Sequence, residues 1–289
     1  MSLDRIRLAS LHDKVISAEE ASAFIEDGMT VGMSGFTRAG EAKAVPLALV
    51  KRAHTNPLKI TLITGASLGN DLDKQLTEAG VLARRLPFQV DNTLRKAINN
   101  GEVMFIDQHL SETVEQMRNL QLKKPDVAII EAVAITEDGG IIPTTSVGNS
   151  ASFAIFAEKV IVEINTNLSP AFEGLHDIYI PTYRPTRQPI PLTQVDERIG
   201  THAINIDPAK IVGIVINNDL HDSPSTVTAP DDETQGIADH LIAFFEKEVA
   251  EERLPKNLGP LQAGIGSIAN AVLTGLKDSN FEDLVMYSE

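Results

Sequence analysis

The feature that most limits the possible folds is a series of short, nearly uninterrupted runs of Val, Ile, Leu and Ala. Residues 126–135 and 159–164 are two of these runs. A strand with one solvent-exposed face alternates polar and apolar residues, whereas a strand covered on both faces is apolar throughout. Stretches with helical periodicity separate the runs. This alternation predicts an α/β fold built on an open sheet.

The same patterns give approximate bounds for each element. We expect strands at 29–33, 59–64, 103–107, 126–135, 141–143, 159–164 and 211–217. We expect helices at 18–26, 41–54, 71–79, 91–99, 111–119, 150–157 and 231–251. Ser111 is the expected N-cap of its helix, and Gly139 with Gly140 is expected to turn the chain between two paired strands.

The segment 165–194 interrupts this alternation. Its five prolines exclude a helix over most of its length, so we expect a long ordered excursion or a flap over the sheet. Arg184 and Arg187 lie in this segment and either clamp a phosphate or carboxylate or simply pack and solvate the loop. His176 and Asp177 precede the arginines and are expected to form a packed, hydrogen-bonded pair.

Composition excludes several classes of function. The chain carries 40 acidic against 25 basic residues, a net charge of −15, which disfavours nucleic acid or an anionic membrane as a partner. It has no cysteine, and its seven histidines show no metal-binding spacing, so we expect no metal site. No apolar run is long enough to span a membrane, and the first residues lack the core of a signal peptide, so we expect a soluble cytoplasmic protein.

The last stretch, residues 258–289, repeats an order found near the start of the chain. Strand, glycine turn, helix and strand follow one another there, as they do in residues 29–64. We therefore expect a first α/β domain at 1–230, followed at 231–289 by a linking helix and the beginning of a second, similar domain. An unfinished sheet leaves a strand edge uncovered, so we expect more chain, or a partner, beside it.

The glycine turn of this stretch is compatible with two chemistries. Gly264, Gly266 and Ala269 form the pattern G-x-G-x-x-A, and Glu289 follows about twenty residues later, as in nicotinamide-dinucleotide sites. The strand before the turn is short and contains Pro260, which makes it a poor first strand for such a site. Alternatively, the carboxylate of Glu289 acts as a nucleophile toward a thioester, with the turn supplying N–H donors to the oxyanion.

Several longer motifs, in one order along the chain, resemble the acetyl-CoA hydrolase/acetate CoA-transferase family of class I CoA-transferases. They are DGMTVGMSGFT at 27–37, KAVP at 43–46, ITEDGG at 135–140, PTTSVGN at 143–149, VIVEIN at 160–165, EGLHDIY at 173–179, LQAGIG at 261–266 and ANAV at 269–272. The fold implied by this resemblance is two similar α/β domains, related to ribose-5-phosphate isomerase-like folds and usually found in a homodimer.

The resemblance also implies roles for individual residues. Glu289 matches the nucleophile, which forms an acyl-glutamyl anhydride and then a glutamyl-CoA thioester. Residues that match the CoA-contacting turn are Gly264, Ile265, Gly266, Ser267 and Ile268. A facing substrate pocket is implied for Ser34, Gly35, Phe36, Thr37, Asn270 and His221. From the residues alone, Ser34 and Thr37 either contact a ligand or cap the helix that follows.

The implied substrates are an acyl-CoA, of the acetyl- or succinyl-CoA class, and a small carboxylate such as acetate, with no permanently bound cofactor. An acetyl-CoA hydrolase that uses the same intermediate is the alternative. A non-catalytic ligand-binding module, or a sugar-phosphate or dinucleotide site on a related fold, is more remote. Family members continue beyond the position of Glu289, so we expect the 289-residue piece to be inactive without the C-terminal half.

Overall fold

The structure is a computed structural model that describes residues 3–33, 35–194, 197–222, 229–264 and 266–288. The chain divides into two compact units, Met1–Ser223 and Pro224–Glu289. Within the described ranges, no helix combines the length and the apolar character needed to cross a bilayer.

The described residues of the first unit form an eight-stranded sheet and six α-helices. Its strands are β1 (Thr30–Met33), β2 (Ile60–Ile63), β3 (Leu82–Leu86), β4 (Met104–Phe105), β5 (Val127–Ile135), β6 (Ile141–Pro143), β7 (Lys159–Asn165) and β8 (Ile211–Asn217). Its helices are α1 (Ala18–Ser22), α2 (Ala44–Ala53), α3 (Leu72–Glu78), α4 (Asn92–Asn99), α5 (Leu110–Arg118) and α6 (Ser150–Phe156).

The sheet is parallel except for one strand. Its order is β4-β3-β2-β1-β5-β7-β8, with every neighbouring pair parallel, and β6 pairs antiparallel with β5. The chain builds outward from β1 through β2, β3 and β4, and then restarts at β5 on the other side of β1. In open α/β sheets, the carboxyl ends of the strands around such a reversal form a crevice in which ligands bind.

The central strand β5 shows why the strands lack polar alternation. Val127 and Ile129 pack into one apolar cluster, together with residues of α2, α3 and α4. Ala128 and Ile130 pack into a second cluster, with residues of α5 and α6. Successive strand residues point to opposite faces, so helices cover both faces of the sheet. The α/β fold predicted from the apolar runs is confirmed.

Some details of the sequence prediction are wrong. Strand β3 was not predicted, because Arg84 and Arg85 interrupt its apolar character, yet Arg85 is fully buried in an ion pair with Asp73. Helix α5 begins one residue earlier than expected, with His109 and not Ser111 at its N-cap. The segment after β7 is irregular as predicted, apart from a short 3-10 helix at Pro170–Phe172.

In the second unit, the part of the chain that the structure describes forms two helices and a pair of strands. Its elements are α7 (Asp232–Ala250), β9 (Pro260–Ala263), α8 (Ser267–Asp278) and β10 (Val285–Ser288). Asp231 caps α7 by accepting the N–H of Thr234, whose side chain in turn accepts the N–H of Asp231. Strands β9 and β10 are parallel, with Ser288 paired to Ala263. This is the strand–turn–helix–strand unit predicted from the last stretch of the sequence.

Candidate functional site

The loop after β1 forms a tight reversal at the carboxyl edge of the sheet. The N–H of Phe36 donates to the carbonyl of Ala39 at 2.8 Å, and the N–H of Ala39 donates back to Phe36 at 3.0 Å. Thr37, at the tip, has a φ of 62° in the left-handed region. The Phe36 side chain is 42% exposed. Of the predicted pocket residues, the structure brings Gly35, Phe36 and Thr37 together in this loop.

The loop after β2 packs closely against this reversal. A Cβ atom added to Gly69 would lie 2.6 Å from the Cα of Arg38, and one added to Gly35 would lie 2.8 Å from the backbone nitrogen of Glu41. Real Cβ atoms essentially never approach other atoms so closely. Gly69 therefore allows the close contact between the two loops, and Gly35 allows the loop after β1 to pack closely on itself.

Two further segments hold the same loop from the other side. The hydroxyl of Ser146 donates to the carbonyl of Ala39 at 2.9 Å. The carboxylate of Asp222 accepts the N–H of Gly40 at 3.2 Å. His221, another predicted pocket residue, precedes Asp222 and is exposed. The anchoring of Asp222 thus keeps His221 in a segment attached to the loop after β1.

Beneath the loop, Lys43 is the centre of a buried ionic cluster. Its Nζ atom lies 2.7 Å from the Glu131 Oε1, 2.7 Å from the Asp222 Oδ1 and 2.7 Å from the backbone carbonyl oxygen of Glu41. Lys43 is only 2% exposed. Burial alone would lower the pKa of Lys43, but the carboxylates of Glu131 and Asp222 outweigh it and hold that pKa above its ordinary value.

Glu131 is itself held by neutral donors. The hydroxyl of Thr144 donates to its Oε2 at 2.6 Å, and the amide of Asn165 donates to its Oε1 at 3.0 Å. Buried charges are tolerated where pairing and hydrogen bonds satisfy them. Together with Lys43, these contacts join β5, β6, β7 and the loop after β1 in one polar network.

A second buried glutamate, Glu163 at the end of β7, caps helix α2. Its carboxylate accepts the backbone N–H groups of Lys43 at 2.9 Å, Ala44 at 3.0 Å and Val45 at 3.2 Å. The N-cap residue of α2 supplies no side-chain hydrogen bond, so this distant carboxylate satisfies the free N–H groups. Burial raises the pKa of Glu163, while the N–H donors at Ala44, Lys43 and Val45 act against that rise.

Glu41 is the least satisfied member of this region. It is fully buried, and its Oε1 accepts a hydrogen bond from the amide of Asn70 at 2.6 Å. Among the described residues, its Oε2 atom has no hydrogen-bond partner. Burial raises the pKa of Glu41 above the ordinary value, against the opposing effect of Lys43. A carboxyl group in such a place is either neutral or strained, and both conditions are typical of functional sites.

A cleft of about 530 Å³ opens beside these loops. Residues from the loops after β1 and β2 line it, among them Thr37, Arg38, Gly69 and Asn70. Of the residues that the structure describes, no group of three or more His, Cys, Asp or Glu side chains is arranged to hold a metal ion. The first unit thus offers a cleft whose wall includes residues of the loops after β1 and β2.

The second unit carries the glycine turn. Gly266 has a φ of 115°, a conformation that favours glycine, and it precedes the first residue of α8 without a side-chain cap. A Cβ atom added at Gly264 or Gly266 would meet no described atom within 4 Å. Gly264, Gly266 and the first residues of α8, Ser267 and Ile268, are exposed, and Asn270 is the fourth residue of the helix. Backbone N–H groups at such a helix start are suited to an anion or oxyanion.

Three predicted residues lie outside the described part of the chain: Ser34, Ile265 and Glu289. The others fall into two groups, one in each unit. The ionic cluster of Lys43, Glu131 and Asp222 was not predicted, nor was the cap that Glu163 provides for α2. A signal for it exists in the sequence, since each glutamate interrupts an otherwise apolar strand that is buried on both faces.

Two solved structures share this fold. RipA from Yersinia pestis aligns with a TM-score of 0.64 at 20% identity, covering 97% of this chain and 57% of that one. The acyl-CoA transferase YdiF from E. coli O157:H7, solved as a thioester complex with CoA, aligns with a TM-score of 0.58 at 13% identity, covering 95% and 61%. The chain therefore has an open α/β fold of the CoA-transferase type.

Sequence similarity then gives the family. Residues 2–216 match the family model of the acetyl-CoA hydrolase/transferase N-terminal domain. The chain is 46% identical to the succinyl-CoA:acetate CoA-transferase of Clostridium kluyveri, covering 99% of this chain and 53% of that protein. It is 44% identical to the acetyl-CoA hydrolase of Kluyveromyces lactis, covering 99% and 56%. The chain belongs to the acetyl-CoA hydrolase/transferase family, and it spans about half the length of these curated relatives.

Proposed function

We propose that this chain forms the N-terminal part of an enzyme that transfers CoA between an acyl-CoA and a small carboxylate, with Glu289 as the nucleophile. The observation that supports it most is the parallel pairing of Ser288 with Ala263. The next residues in sequence are Glu289 and Gly264, so the nucleophile follows one strand end and the glycine turn follows its neighbour.

The proposed reaction proceeds through two covalent states. A carboxylate oxygen of Glu289 attacks the carbonyl carbon of the thioester, the C–S bond breaks, and CoA leaves as its thiolate. The thiolate then attacks the glutamyl carbonyl carbon of the resulting anhydride, and the donor acid leaves as its carboxylate. The glutamyl-CoA thioester that remains reacts with the acceptor carboxylate by the reverse steps. No general base is needed, because a carboxylate is already ionised at neutral pH.

The turn from Gly264 to Ile268 has the features needed to bind CoA beside this nucleophile. An added Cβ at Gly264 would contact no described atom, so nothing in its own surroundings requires a glycine there. A ligand that approaches the backbone closely does require one. The uncapped N–H groups at the start of α8 supply donors for the oxyanion of the tetrahedral intermediate.

The loop after β1 fits the acyl and acceptor side of the reaction. Phe36 offers an exposed apolar surface, and the Lys43 cluster fixes the loop that carries it. His221 precedes Asp222, the residue that attaches its segment to this loop. In this proposal its imidazole is the polar group that contacts the acceptor acid. We therefore assign Ser34, Gly35, Phe36, Thr37, Asn270 and His221 to the substrate pocket, and acetate to the class of acceptor.

Hydrolysis of acetyl-CoA is the second candidate. Several relatives at 41–44% identity are named acetyl-CoA hydrolases. Water attacking the glutamyl-CoA thioester yields free CoA and regenerates the carboxylate, so the same nucleophile serves both reactions. The two activities differ only in whether water or an acid is admitted to the intermediate.

The complete enzyme is proposed to contain a C-terminal half that continues the second unit, since the relatives are about twice as long. We further propose a homodimer that acts in the cytoplasm and uses CoA only as a substrate. Alone, the 289-residue chain is expected to bind CoA weakly and to turn nothing over.

The test uses the protein with both halves and follows CoA transfer from succinyl-CoA to acetate, with and without the acid. Turnover that requires acetate supports the transferase, whereas equal release of CoA without acetate supports the hydrolase. Absence of both reactions, or binding of NADH more tightly than CoA, would contradict the proposal. A matched Glu289→Gln protein should lose both reactions.

A further inference from the structure

A second cavity of the first unit lies between α5 and the proline-rich segment 165–194, and no residue of the loop after β1 lines it. It has a volume of about 340 Å³, room for roughly ten water-sized groups. One part of its wall is apolar, with side chains such as Val114, Ile178 and Ile180. The remainder carries charged groups, including Glu115, Arg118, Asp177 and Arg187. Nothing in the proposed CoA chemistry uses this place.

Three arginines converge here on one carboxylate. Arg118 Nη1 lies 2.9 Å from Glu115 Oε1, and Arg187 Nη2 lies 2.5 Å from the same atom. Arg184 Nε lies 3.9 Å from Glu115 Oε2. The Arg118 side chain is only 3% exposed, and its guanidinium also lies over the ring of Tyr183, with 5.5 Å between Cζ and the centroid. Three guanidinium groups thus share one carboxylate, and that of Arg118 is buried in the cavity wall.

The charges around the cavity do not cancel. In the cavity lining, Arg118 and Arg187 balance the carboxylates of Glu115 and Asp177. Arg184 is not a lining residue, but its Nε lies 3.9 Å from Glu115, so with it the group carries one positive charge in excess. Asp177 is turned toward the backbone, since its oxygens accept the N–H groups of Ile199 at 3.1 Å and Gly200 at 2.6 Å. In a chain of net charge −15, a local cationic excess of this kind is unusual. A planar guanidinium prefers carboxylate and phosphate oxygens as partners.

From this arrangement we infer that the cavity is a second anion site, which binds the carboxylate or phosphate group of a small molecule. Arg187 and Arg184 supply the accessible donors, with side chains 30% and 70% exposed. Arg118 supports them from the buried side, and the apolar wall accommodates the rest of the molecule. Glu115 acts as an internal competitor that occupies the arginines when no ligand is bound.

The role of Glu115 makes a prediction that a purely structural ion-pair cluster does not. Replacing Glu115 by Gln frees the arginines, so the affinity for an anion should rise, on the order of fivefold. Arg187→Gln removes a donor, and the affinity should fall by a similar factor. Arg184→Gln, at a more exposed position, should weaken binding without disturbing the fold. Arg253→Gln is the matched control, because this exposed arginine lies in the second unit and pairs with Glu248.

The experiment is calorimetric titration of the 289-residue chain and its variants at low ionic strength, with succinate in one arm and inorganic phosphate in the other. We expect saturable binding of succinate, of phosphate or of both. The probe that binds shows whether the site recognises a carboxylate or a phosphate group. Equal affinity in the wild type and Arg187→Gln, weaker binding in Glu115→Gln, or no saturable binding in either arm would overturn the inference. The CoA proposal is separable from this one, because Gly264→Ala should leave the titration unchanged.

Discussion

The Nζ atom of Lys43 lies 2.7 Å from Oε1 of Glu131, and neither side chain is more than 2% exposed. Lys43 immediately precedes α2, whereas Glu131 is in the middle of β5, so the pair connects the loop after β1 to the neighbouring strand of the sheet. Replacing both partners of a buried pair with apolar residues is often tolerated, but removing one leaves a charge without compensation. The pair therefore adds a buried ionic contact to those by which Ser146 and Asp222 hold the loop.

Lys43→Met should destabilise the first unit strongly. It leaves the buried carboxylate of Glu131 without its cation, a loss of about 3–5 kcal/mol in the free energy of unfolding. Urea unfolding followed by circular dichroism measures this difference. The double variant Lys43→Met/Glu131→Leu should recover a large part of it. If the single variant unfolds at the wild-type urea concentration, the pair does not stabilise the loop.

Lys51→Met serves as the control for the loss of a lysine. Lys51 also pairs with a glutamate, at 3.4 Å from Glu19, but the two side chains are 77% and 61% exposed. Exposed pairs contribute about 1 kcal/mol or less. If Lys51→Met lowers the free energy of unfolding as much as Lys43→Met does, burial is not the reason why the two lysines should differ.

Glu41→Gln should change how stability depends on pH. The pKa of Glu41 is raised in the folded chain by burial, so the folded state holds this proton more tightly than the unfolded state. The stabilisation is complete below the ordinary value of 4.5 and is lost as the pH rises through the raised pKa. Each unit of the rise corresponds to about 1.4 kcal/mol.

Denaturant unfolding of both proteins at several pH values between 4 and 8 tests this. The wild type should lose stability relative to Glu41→Gln as the pH rises above the ordinary value of the carboxyl group. Glu163, whose pKa burial also raises, is present in both proteins and therefore cancels in the comparison. A difference that stays constant over the whole range would contradict a raised pKa at Glu41.

The fold was largely predictable because a sheet that is covered on both faces requires strands that are apolar throughout, and such strands are recognisable in the sequence. Apolar strands such as 126–135 admit few other architectures. Strand β3 escaped prediction because the partner of Arg85, Asp73, lies in a different element, and only the folded chain brings the two side chains together. Periodicity reports which residues face the core but not which charges meet there.

The candidate site was predictable to a smaller extent. The glycine turn and the loop after β1 were identified from motifs, whereas the cluster around Lys43 depends on contacts between residues 88 and 120 positions apart. Glutamates inside apolar strands indicate that such a cluster exists, but sequence alone does not say which cation meets them. The role of Glu289 stays a prediction, since that residue lies outside the described part of the chain.

Gly264→Ala should weaken CoA binding without changing stability. An added Cβ there meets no described atom within 4 Å, so the fold of the second unit accepts it. A ligand in contact with the backbone does not, and we expect affinity to fall by at least about tenfold, the equivalent of about 1.4 kcal/mol. Calorimetric titration with CoA, alongside thermal unfolding, separates the two effects. Unchanged affinity would exclude the turn from the CoA site.

Gly236→Ala should raise stability without changing CoA binding, the reverse of what we expect for Gly264→Ala. Gly236 lies within α7, and an added Cβ would meet no described atom within 4 Å. Alanine in a helix is more stable than glycine by about 0.5–1 kcal/mol, so the thermal midpoint of the second unit should rise while CoA affinity stays constant. A fall in the midpoint would show that α7 has a partner at this position.

The central claim is that Glu289 forms the covalent bond to CoA, and trapping that bond tests it most directly. The protein with both halves is incubated with acetyl-CoA, reduced with borohydride and digested, and the peptide that contains residues Leu284–Glu289 is weighed by mass spectrometry. Reduction of a thioester converts the glutamate side chain to an alcohol, so we predict that mass change at Glu289 alone and its absence in Glu289→Gln. An unmodified Glu289 peptide during active turnover, or the same adduct in Glu289→Gln, would contradict the account.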